Sequence, residues 1–404
     1  MALAFIKYYQ NQQIQIKMIV KQSFLNKFSR YLTSKQILFQ FSSQIQIDKH
    51  EYVEVFFSDS NDIHYNLSLE QLLYEKDLKV PRLMLWKNKD SVIIGKYQNQ
   101  WQECNMFNLY EDQVPFVRRK TGGGTVYHDM GNICFSFITP IYSKDIFPLD
   151  PRQYNVQILQ NAMKNIGIET GLTARKDLTI HSKKISGSAY QANMPNKYGE
   201  GKKCLHHGTL LVNVDLKRLW RYLKPKEKQI KSKAQESVVS QVCNIKDIYP
   251  NIKEDMIYKS IVESFTNFFG VQNCITKHFE YKTMINEPFI KEQVDEFKSW
   301  GWMYGKTPKF QNDINIPLSH GEVYILIEQE EGFISKMEFR FDDRLFYYAE
   351  QLLNDLFFKQ KIKYGIKEVE KSIIENVIQN DSIISPYESE IIKNEILPAL
   401  SHLL

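Results

Sequence analysis

Three consecutive glycines form the most informative segment of the chain. They occupy residues 122–124 within the sequence RRKTGGGTVYHD, which spans residues 118–129. Glycine lets the backbone approach a ligand closely and adopt a positive φ without steric cost, and successive unhindered N–H groups can form a nest that binds phosphate or carboxylate. The preceding arginines can add charge-assisted hydrogen bonds. Three glycines between strands are more often a plain loop, but their clustering with arginines and Tyr-His-Asp favours a ligand site.

A lysine among small residues is the second candidate. The sequence KKISGSA covers residues 183–189. A lysine that enters such a strand places its ammonium beside a groove that a thin ligand could occupy, where it can act as a point charge on a phosphate or a developing oxyanion. An isolated pair of lysines is more often a solvated strand edge, and that alternative stays open at this point.

Two adjacent histidines, His206 and His207, open the sequence HHGTLL. Neighbouring residues on a strand point to opposite faces, so the pair cannot easily ligate one metal ion. No HExxH motif and no third ligand lies nearby in the sequence. We therefore expect no metal site, and predict instead that the hydroxyl of Thr209 hydrogen-bonds a ligand.

Aromatic residues alternate in the sequence WGWMYGKTPKF, residues 300–310. Alternation places side chains on one face of a strand. The favoured interpretation is structural, with a strand packing Trp300, Trp302 and Tyr304 between two domains. A partner-binding surface is the alternative, because exposed aromatic residues mark protein contacts.

In this order and spacing, the four segments resemble the lipoate-protein ligase and lipoyltransferase family, which has the biotin/lipoate ligase fold. The resemblance covers roughly Tyr65 to Phe310. The glycine segment matches the family signature, the KISG at residues 184–187 matches the segment that holds the family's lysine, and HHGTLL matches a strand that faces the adenylate. The segments WQECN, residues 101–105, and YGKTPKF, residues 304–310, are most similar to the mitochondrial lipoyltransferase branch.

The resemblance implies an enzyme that handles an activated acyl group. Lipoic acid joined to AMP is a mixed anhydride, and a lysine amine of an acceptor protein attacks its carbonyl to give an amide. Lys184 would be the catalytic residue, between the acyl carbonyl and the phosphate. The residues implied to bind lipoyl-AMP are Tyr127, Arg175, Thr209, Arg119, Gly122, Gly123 and Gly124. Among these, Arg119 would help to hold the acyl or phosphate group, and the glycines would line the space for the acyl chain or the nucleotide.

The chain departs from bacterial-type ligases at three positions. Lys176 stands where those ligases usually have Asn, and Val239 and Gln241 stand where arginines are expected. Losing two cations should weaken the handling of the β- and γ-phosphates of ATP more than that of a finished acyl-AMP. We therefore predict a transferase that accepts preformed lipoyl-AMP. The alternative of a full ligase, which would use ATP and Mg²⁺ to make its own lipoyl-AMP, stays open.

Two further alternatives also stay open. An octanoyltransferase would share the fold, but that family usually has Gly-Pro-Gly-Gln where Asp129-Met-Gly-Asn132 stands here. Some of its relatives use a cysteine nucleophile, whereas a strand thiol such as Cys134 is more often inert core. A non-catalytic scaffold could bind lipoyl domains through the C-terminal aromatic segment. On the favoured interpretation the partners are apo lipoyl-carrier domains, namely the H protein of glycine cleavage and the E2 subunits of 2-oxoacid dehydrogenases.

Charge is unevenly distributed along the 404 residues. Residues 1–47 contain six lysines and arginines and no acidic residue, while the whole chain carries +5. This acid-free, amphipathic composition is typical of a mitochondrial transit peptide, and it predicts a protein of the mitochondrial matrix. A disordered glutamine-rich leader is the alternative. The remaining body is close to neutral, so we expect no nucleic-acid partner.

Cysteine spacing and hydropathy exclude two further classes of protein. The five cysteines lie far apart without a C-x-x-C pair, which argues against a zinc site or a disulfide framework and fits a reducing compartment. No apolar run approaches the ~18–20 residues that a transmembrane helix needs, so we expect no membrane partner. We also expect a monomer.

The elements that position these segments are mixed, with strands dominating. The predicted strands include 115–119, 125–128, 132–139 and 207–214, and the predicted helices include 151–166, 216–223, 254–269 and 343–361. The polar connector 87–90 predicts a hairpin between strands 82–86 and 91–95.

These elements indicate an α+β fold. We expect a mixed, largely antiparallel sheet with flanking helices, and a smaller α/β accessory domain at the C-terminus. The predicted boundaries are 1–47 for the leader, 48–287 for the catalytic domain and 288–404 for the accessory domain.

Overall fold

The computed structural model describes residues 50–141, 151–193, 203–223, 230–237, 240–342, 344–359, 362–379 and 384–403. His50–Leu404 forms one unit by its internal contacts. The predicted leader, residues 1–47, lies outside the described residues. Within the described ranges, none of the helices is long and apolar enough to cross a membrane.

The strands of the described residues are numbered here in chain order. They are β1 Tyr52–Ser58, β2 Arg82–Trp86, β3 Ser91–Ile94, β4 Phe116–Arg118, β5 Val126–His128, β6 Asn132–Pro140, β7 Gly171–Leu172, β8 Leu178–Ile180, β9 Lys183–Lys184, β10 Ser186–Asn193, β11 Lys203–Leu211, β12 Ile230–Ser232, β13 Asn273–Phe279, β14 Phe310–Pro317, β15 Glu322–Glu330 and β16 Phe333–Phe341.

The α-helices are numbered in the same way. They are α1 Ile63–Glu75, α2 Gln100–Glu103, α3 Met106–Glu111, α4 Pro151–Asn165, α5 Leu216–Leu223, α6 Glu254–Phe268, α7 Tyr281–Met284, α8 Pro288–Lys298, α9 Trp300–Met303, α10 Tyr347–Lys359, α11 Ile366–Ile373, α12 Pro386–Ile391 and α13 Leu397–Leu403. The predicted helices in the first 270 residues end within one residue of α4, α5 and α6.

A six-stranded sheet in the order β10-β11-β6-β2-β1-β13 forms the centre of the molecule. The pairs β10/β11, β11/β6 and β6/β2 are antiparallel, and β1 is parallel to both β2 and β13. Smaller sheets have the orders β4-β3-β5, β7-β8-β9 and β12-β14-β15-β16. Antiparallel pairs therefore outnumber parallel ones, and the prediction of an α+β fold with a mixed, largely antiparallel sheet is confirmed.

Helices cover both faces of the central sheet. On one face, α1 and α8 share an apolar cluster with sheet residues that include Met84 and Ile138. On the other face, α6 packs on the sheet, with the ring centroids of Phe137 and Phe265 5.6 Å apart. Residues 137 and 138 point to opposite faces because side chains alternate along a strand. The sheet is consequently buried on both sides.

The predicted hairpin between β2 and β3 is wrong. β2 lies between β1 and β6 in the central sheet, whereas β3 lies between β4 and β5 in another sheet. Within the connector Lys89 is exposed, but Asn88 is fully buried and links the two sheets. Its side chain accepts a hydrogen bond from Asn66 Nδ2 at 2.9 Å and donates one to His128 Nδ1 at 2.8 Å. Asn88, whose polar side chain suggested an exposed turn, thus forms its hydrogen bonds inside the protein.

The predicted aromatic strand at residues 300–304 is also wrong. Trp300–Met303 forms α9, and Ser299 caps its start. The Ser299 hydroxyl accepts a hydrogen bond from the backbone N–H of Trp302 at 3.2 Å. Such a cap satisfies one of the free N–H groups at a helix start. Trp302 is buried with α1 and α8, while Trp300 stacks on Tyr304 at 4.2 Å. The three aromatic side chains therefore do not share one strand face.

The C-terminal sheet has an apolar cluster of its own. It packs β14, β15 and β16 against α10 and the helices that follow, and it also includes Trp101 and Ile230 from earlier in the chain. The residues of α8 belong instead to the cluster with α1. The boundary between 48–287 and 288–404 stays a prediction.

A two-residue turn between β8 and β9 leads into Lys184. Its residues His181 and Ser182 have φ angles of 47° and 65°, which a side chain makes costly by about 1–2 kcal/mol and which glycine adopts freely. We expect Ser182→Gly to raise the free energy of unfolding by about 0.5–1 kcal/mol, after the entropy cost of glycine is deducted. Urea denaturation measures this change. Ser188→Gly, in an ordinary strand, should lower the same quantity, and equal effects of the two variants would contradict the prediction.

Candidate functional site

A cavity of about 220 Å³ opens where the glycine loop, residues 122–124, faces β9, β10 and β11. One part of its wall is apolar and is formed by Leu67, Trp86 and Ile93. The rest is polar and includes Lys184, Thr209 and the backbone of the glycine loop. An elongated molecule with an apolar tail and a polar head fits such a wall.

The glycine loop is held by Arg119. The guanidinium donates to the carbonyl oxygens of Gly122 at 2.6 Å and Gly124 at 2.8 Å, and to the hydroxyl of Thr121 at 3.0 Å. Burial lowers the pKa of Arg119 from 12.5 to about 10, so the side chain keeps its charge at neutral pH. Its hydrogen bonds bend the loop around the cavity, and the predicted contact of Arg119 with an acyl or phosphate group stays a prediction.

Gly123 requires the absence of a side chain for two reasons. Its φ is +90°, and a Cβ there would meet Arg119 Nη2 at 2.9 Å and the Cβ of Ala189 at 3.0 Å. We expect Gly123→Ala to lower the rate of the acyl transfer that the resemblance implies by about tenfold or more, because the loop must move into the cavity or away from Arg119. Steady-state rates measure the effect. The matched control is Gly122→Ala, whose Cβ would meet nothing closer than 3.8 Å, and similar losses in both variants would speak against this interpretation.

Lys184 is placed by backbone hydrogen bonds and by one carboxylate. Its N–H donates to the carbonyl of Gln241 at 2.8 Å, and its carbonyl accepts from the N–H of Cys243 at 3.1 Å. Its Nζ lies 2.9 Å from Oδ2 of Asp177, and both side chains are largely buried. A Cβ on Gly187 would lie only 3.9 Å from the same Nζ. The ammonium therefore lies over side-chain-free backbone, inside the cavity wall.

A second cavity of about 140 Å³ adjoins the first. Both are lined by Thr125, Val126, Lys184, Gly187, Thr209, Ser237 and Ser240. The second is otherwise mostly apolar, with Tyr127, Leu219, Trp220, Leu223 and Val242 in its wall. Lys184 and Thr209 thus stand where an apolar lobe on one side meets an aromatic lobe on the other.

The segment 235–237 is fixed to the wall of both cavities. The hydroxyl of Ser237 accepts hydrogen bonds from the N–H of Thr125 at 2.9 Å and from Gln98 Nε2 at 3.0 Å. The N–H of Ser237 donates to Glu103 Oε1 at 3.0 Å. Burial raises the pKa of Glu103, although hydrogen bonds from Ser237 and Gln98 oppose the shift. Val239, which replaces an expected arginine, lies outside the described residues, and Gln241 is exposed.

The sequence-predicted residues converge on these two cavities. Lys184, Thr209, Arg119, Gly123, Gly124 and Arg175 line the first, and Tyr127 lines the second. Gly122 lies in the loop but lines neither cavity. Arg175 is exposed at the rim, and Lys176 beside it has a φ of 67°, which Asn adopts more readily than Lys. The individual roles of these residues stay predictions.

A buried polar chain behind the glycine loop was not foreseen. His207 Nε2 lies 2.8 Å from the hydroxyl of Thr121, and its Nδ1 lies 2.8 Å from Glu70 Oε1. Glu70 is buried and also accepts a hydrogen bond from Ser136 Oγ. Its position on α1, between apolar residues, gave no signal of a link to His207, 137 positions away. These hydrogen-bonded side chains connect Arg119 to the core and so hold the glycine loop on the side away from the cavity.

The two histidines of HHGTLL face opposite ways, as predicted. The ring of His206 packs against the rings of Phe135 and Phe137, whereas His207 faces Glu70 and lines the first cavity. Across the described ranges, no group of three or more His, Cys, Asp or Glu side chains is arranged to hold a metal ion. Cys134 is fully buried, does not line either cavity, and has its pKa raised by burial.

His128 is a buried neutral histidine in the wall of the first cavity. Its Nδ1 accepts the hydrogen bond from Asn88, so the proton is on Nε2, for which the described residues offer no partner. Burial, with smaller contributions from Arg119 and His207, lowers its pKa from 6.5 to about 3. This N–H is buried within the wall of the first cavity.

The lowered pKa of His128 makes stability depend on pH. Between pH 6.5 and pH 3 the unfolded chain binds a proton at this histidine and the folded chain does not, so stability falls as pH falls. From pH 7 to pH 5 we expect this residue to remove about 2 kcal/mol from the free energy of unfolding. Comparing urea denaturation at both pH values should show a shallower loss in His128→Asn than in the parent. His181→Asn, at an exposed position, should keep the parent's loss, and parallel losses in all three proteins would refute the expectation.

Comparison with known proteins agrees with this geometry. Residues 62–266 match the family model described as the lipoyl protein ligase A/B catalytic domain. A lipoate-protein ligase A from Bdellovibrio bacteriovorus is 36% identical over 292 residues, which cover 71% of this chain and 82% of that protein. The chain belongs to the lipoyl protein ligase A/B catalytic domain family. It is a lipoyl-transferring enzyme that forms an amide with a protein lysine.

Solved structures of the family have the same fold. LipL1 of P. falciparum in complex with lipoate is 29% identical with a TM-score of 0.54, covering 86% of this chain and 99% of its own. The bipartite lipoate protein ligase of Thermoplasma acidophilum, studied with its E2 lipoyl domain, has a TM-score of 0.51 at 20% identity and covers 63% and 96% of the two chains. At that identity the likeness shows the fold alone. The family resemblance read from the four motifs is therefore confirmed.

Proposed function

We propose that the chain transfers the lipoyl group from lipoyl-AMP to a lysine of apo lipoyl-carrier domains, the H protein of glycine cleavage and the E2 subunits of 2-oxoacid dehydrogenases. The observation that carries the proposal is the position of Lys184 and Thr209 at the junction of two cavities. A mixed anhydride of an apolar acid and a nucleotide has its reacting carbonyl and its phosphate at such a junction.

Each part of the junction has a chemical task in this reaction. The apolar lobe at Leu67, Trp86 and Ile93 takes the hydrocarbon chain and its ring. The Lys184 ammonium lies beside the carbonyl and the phosphate, where it stabilises the negative charge that develops when the acceptor amine attacks. Asp177, whose Oδ2 lies 2.9 Å from Nζ, holds the ammonium in this direction. The amine nitrogen bonds to the carbonyl carbon and loses a proton to solvent, and AMP leaves with the electron pair of the broken anhydride bond.

The small number of cationic side chains along the cavities supports transfer from lipoyl-AMP over activation of lipoate with ATP. Among the described lining residues only Arg119, Arg175 and Lys184 are lysines or arginines. Arg119 donates to loop carbonyls and Lys184 is paired with Asp177. A triphosphate needs several charge-assisted hydrogen bonds, whereas the phosphate of lipoyl-AMP carries a single negative charge and needs fewer.

A full ATP-dependent ligase is the second candidate, and the identity with a Bdellovibrio lipoate-protein ligase A favours it. Such an enzyme uses ATP with Mg²⁺, and the acidic side chains that line the cavities are Asp177, Glu103 and Glu236. Asp177 is engaged by Lys184, Glu103 by Ser237, and Glu236 by Gln102. The described carboxylates are thus occupied by protein partners, and a metal would be held mainly through the phosphates.

One assay separates the two candidates. Apo H protein and an apo E2 lipoyl domain are offered lipoyl-AMP, lipoate with ATP and Mg²⁺, or a lipoyl thioester, and the mass of each acceptor is followed. We expect the lipoyl mass shift with lipoyl-AMP and little with lipoate plus ATP. Rapid shift and pyrophosphate release with lipoate plus ATP would establish the ligase instead. No shift with any donor would refute both.

We further propose that residues 1–47 direct the protein to the mitochondrial matrix, where it acts as a monomer. The support is the absence of acidic residues among six basic ones in that segment. A fusion of residues 1–47 to a fluorescent protein should be imported by mitochondria and shortened, and cytosolic retention would contradict the proposal. Light scattering of the purified chain should give the mass of a single copy.

A further inference from the structure

Trp220 is an exposed tryptophan that lines the second cavity. Its residue is 39% exposed, although the neighbours Leu219 and Tyr222 on α5 are buried. No aromatic ring or hydrogen-bonding group of the described residues contacts its indole. A large planar apolar side chain that borders a cavity and keeps a free face offers a surface to a ligand.

The helix that carries Trp220 is fixed on its other faces. Arg221 Nε lies 2.6 Å from Asp112 Oδ2, and the hydroxyl of Tyr222 donates to the same oxygen at 2.8 Å. One turn earlier, Arg218 forms an ion pair with Asp90. These contacts hold α5 against the body on both sides of Trp220. The backbone that carries the indole is therefore positioned before any ligand arrives, which reduces the ordering cost of binding.

The chemistry of the second cavity changes along its length. Near Lys184 it is polar, with the hydroxyls of Ser237 and Ser240 in its wall. The rest of the wall is mostly apolar and aromatic; Leu219, Trp220 and Leu223 come to it from α5, whereas Val242 lies beside Lys184, with which it forms a backbone bridge. A molecule that fits this gradient has a phosphate at one end and a flat heteroaromatic ring at the other.

We propose that Trp220 is the platform on which the purine base of the activated lipoyl donor stacks. This inference rests on the proposed function, because the donor there is an adenylate whose acyl end occupies the first cavity. Every nucleobase offers a π-face, and stacking on an aromatic side chain contributes substantially to affinity. Trp220 acts in this account as a specificity-determining residue for the nucleotide half of the donor, and it takes no part in the chemical step.

The first test uses AMP alone as the probe and needs no turnover. The chain has five tryptophans, and stacking of a base on one of them quenches its emission. We expect AMP to quench the fluorescence of the parent protein and not that of Trp220→Phe, which keeps an aromatic ring without the indole signal. Unchanged quenching in Trp220→Phe, or no quenching in the parent, would overturn the proposal.

The second test compares two donors that differ in the base. Lipoyl-AMP and a lipoyl alkyl phosphate are both mixed anhydrides, but only the first carries a purine. Trp220→Ala should raise the KM for lipoyl-AMP about 5- to 100-fold with little change in kcat, leave the rate with lipoyl alkyl phosphate unaltered, and be partly rescued in Trp220→Phe. The matched control is Tyr324→Ala, a residue of equal exposure on β15, which should alter neither donor.

The outcomes distinguish the stacking inference from the proposed function. If the parent protein transfers nothing from lipoyl-AMP yet shows Trp220-dependent quenching by AMP, the proposed function fails and the base platform stands. If Trp220→Ala affects both donors equally, or raises only the KM for the acceptor domain, Trp220 contacts something other than the base and the inference is overturned.

Discussion

Replacing Lys184 with alanine is expected to reduce lipoyl transfer by about 10²- to 10³-fold. Its ammonium is the cation at the junction of the two cavities, and Asp177 holds it over Gly187. Without it, the charge on the attacked carbonyl and on the departing phosphate loses its stabilising partner, while Asp177 adds an unpaired negative charge beside them. The mass shift of an apo lipoyl domain under single-turnover conditions measures the rate directly.

The neighbouring lysine provides the matched control. Lys183 precedes Lys184 on the same two-residue strand, and its residue is exposed. Lys183→Ala should transfer at the parent rate, and Lys184→Arg should stay impaired because a planar guanidinium does not replace a compact ammonium. Both variants must unfold at the parent's temperature for the comparison to hold. A Lys184→Ala protein that keeps a tenth or more of the rate would contradict the role assigned to this residue.

Arg118→Leu is expected to lower the free energy of unfolding by about 3–5 kcal/mol. Arg118 is fully buried, and none of the carboxylates in the described part of the chain pairs with it. It donates to the carbonyls of Gly95, Lys96, Gln98 and Met303 and to the side chains of Gln100 and Thr307, at 2.7–3.3 Å. Leucine would leave these buried acceptors without donors. Burial already lowers the pKa of this arginine to about 10, so it stays charged at neutral pH.

Urea denaturation of three variants tests this expectation. Arg118→Lys should recover only part of the loss, because an ammonium has three donors and cannot reach six acceptors that a planar fork satisfies. Arg340→Leu, at an exposed position on β16, should change the free energy of unfolding by less than about 0.5 kcal/mol. A loss below about 1 kcal/mol in Arg118→Leu would show that water or neighbouring groups replace the guanidinium.

The sequence was most informative where chemistry restricts the choice of residue. A backbone that must pass close to a ligand at a φ of +90° accepts little besides glycine, and Gly123 was identified for that reason. Lys184 was identified because a small-residue strand leaves room beside it. The α+β class and the ends of α4, α5 and α6 followed from helical periodicity and from glycines that end helices.

Local patterns failed where distant residues decide the structure. The polar connector at Asn88 had the composition of an exposed turn, but Asn66 and His128 give it buried partners. The alternating tryptophans had the period of a strand, but the cap from Ser299 and the burial of Trp302 favour a helical turn. The links of Glu70 to His207 and of Glu103 to Ser237 join residues 137 and 134 positions apart, and nothing in either local sequence announces them.

The short strand β12 has a consequence for how this enzyme can be divided. Ile230–Ser232 pairs with Phe310–Asn312 of β14, and Ile230 is buried in the cluster of the C-terminal sheet. Only three residues later, Gln235 donates its N–H to the carbonyl of Tyr97 and lines the first cavity. A truncation that keeps the family-matched region and discards the last hundred residues would therefore remove β14, and β12 next to the cavity wall would lose its pairing partner. Separate expression of the two halves would not yield an intact catalytic half.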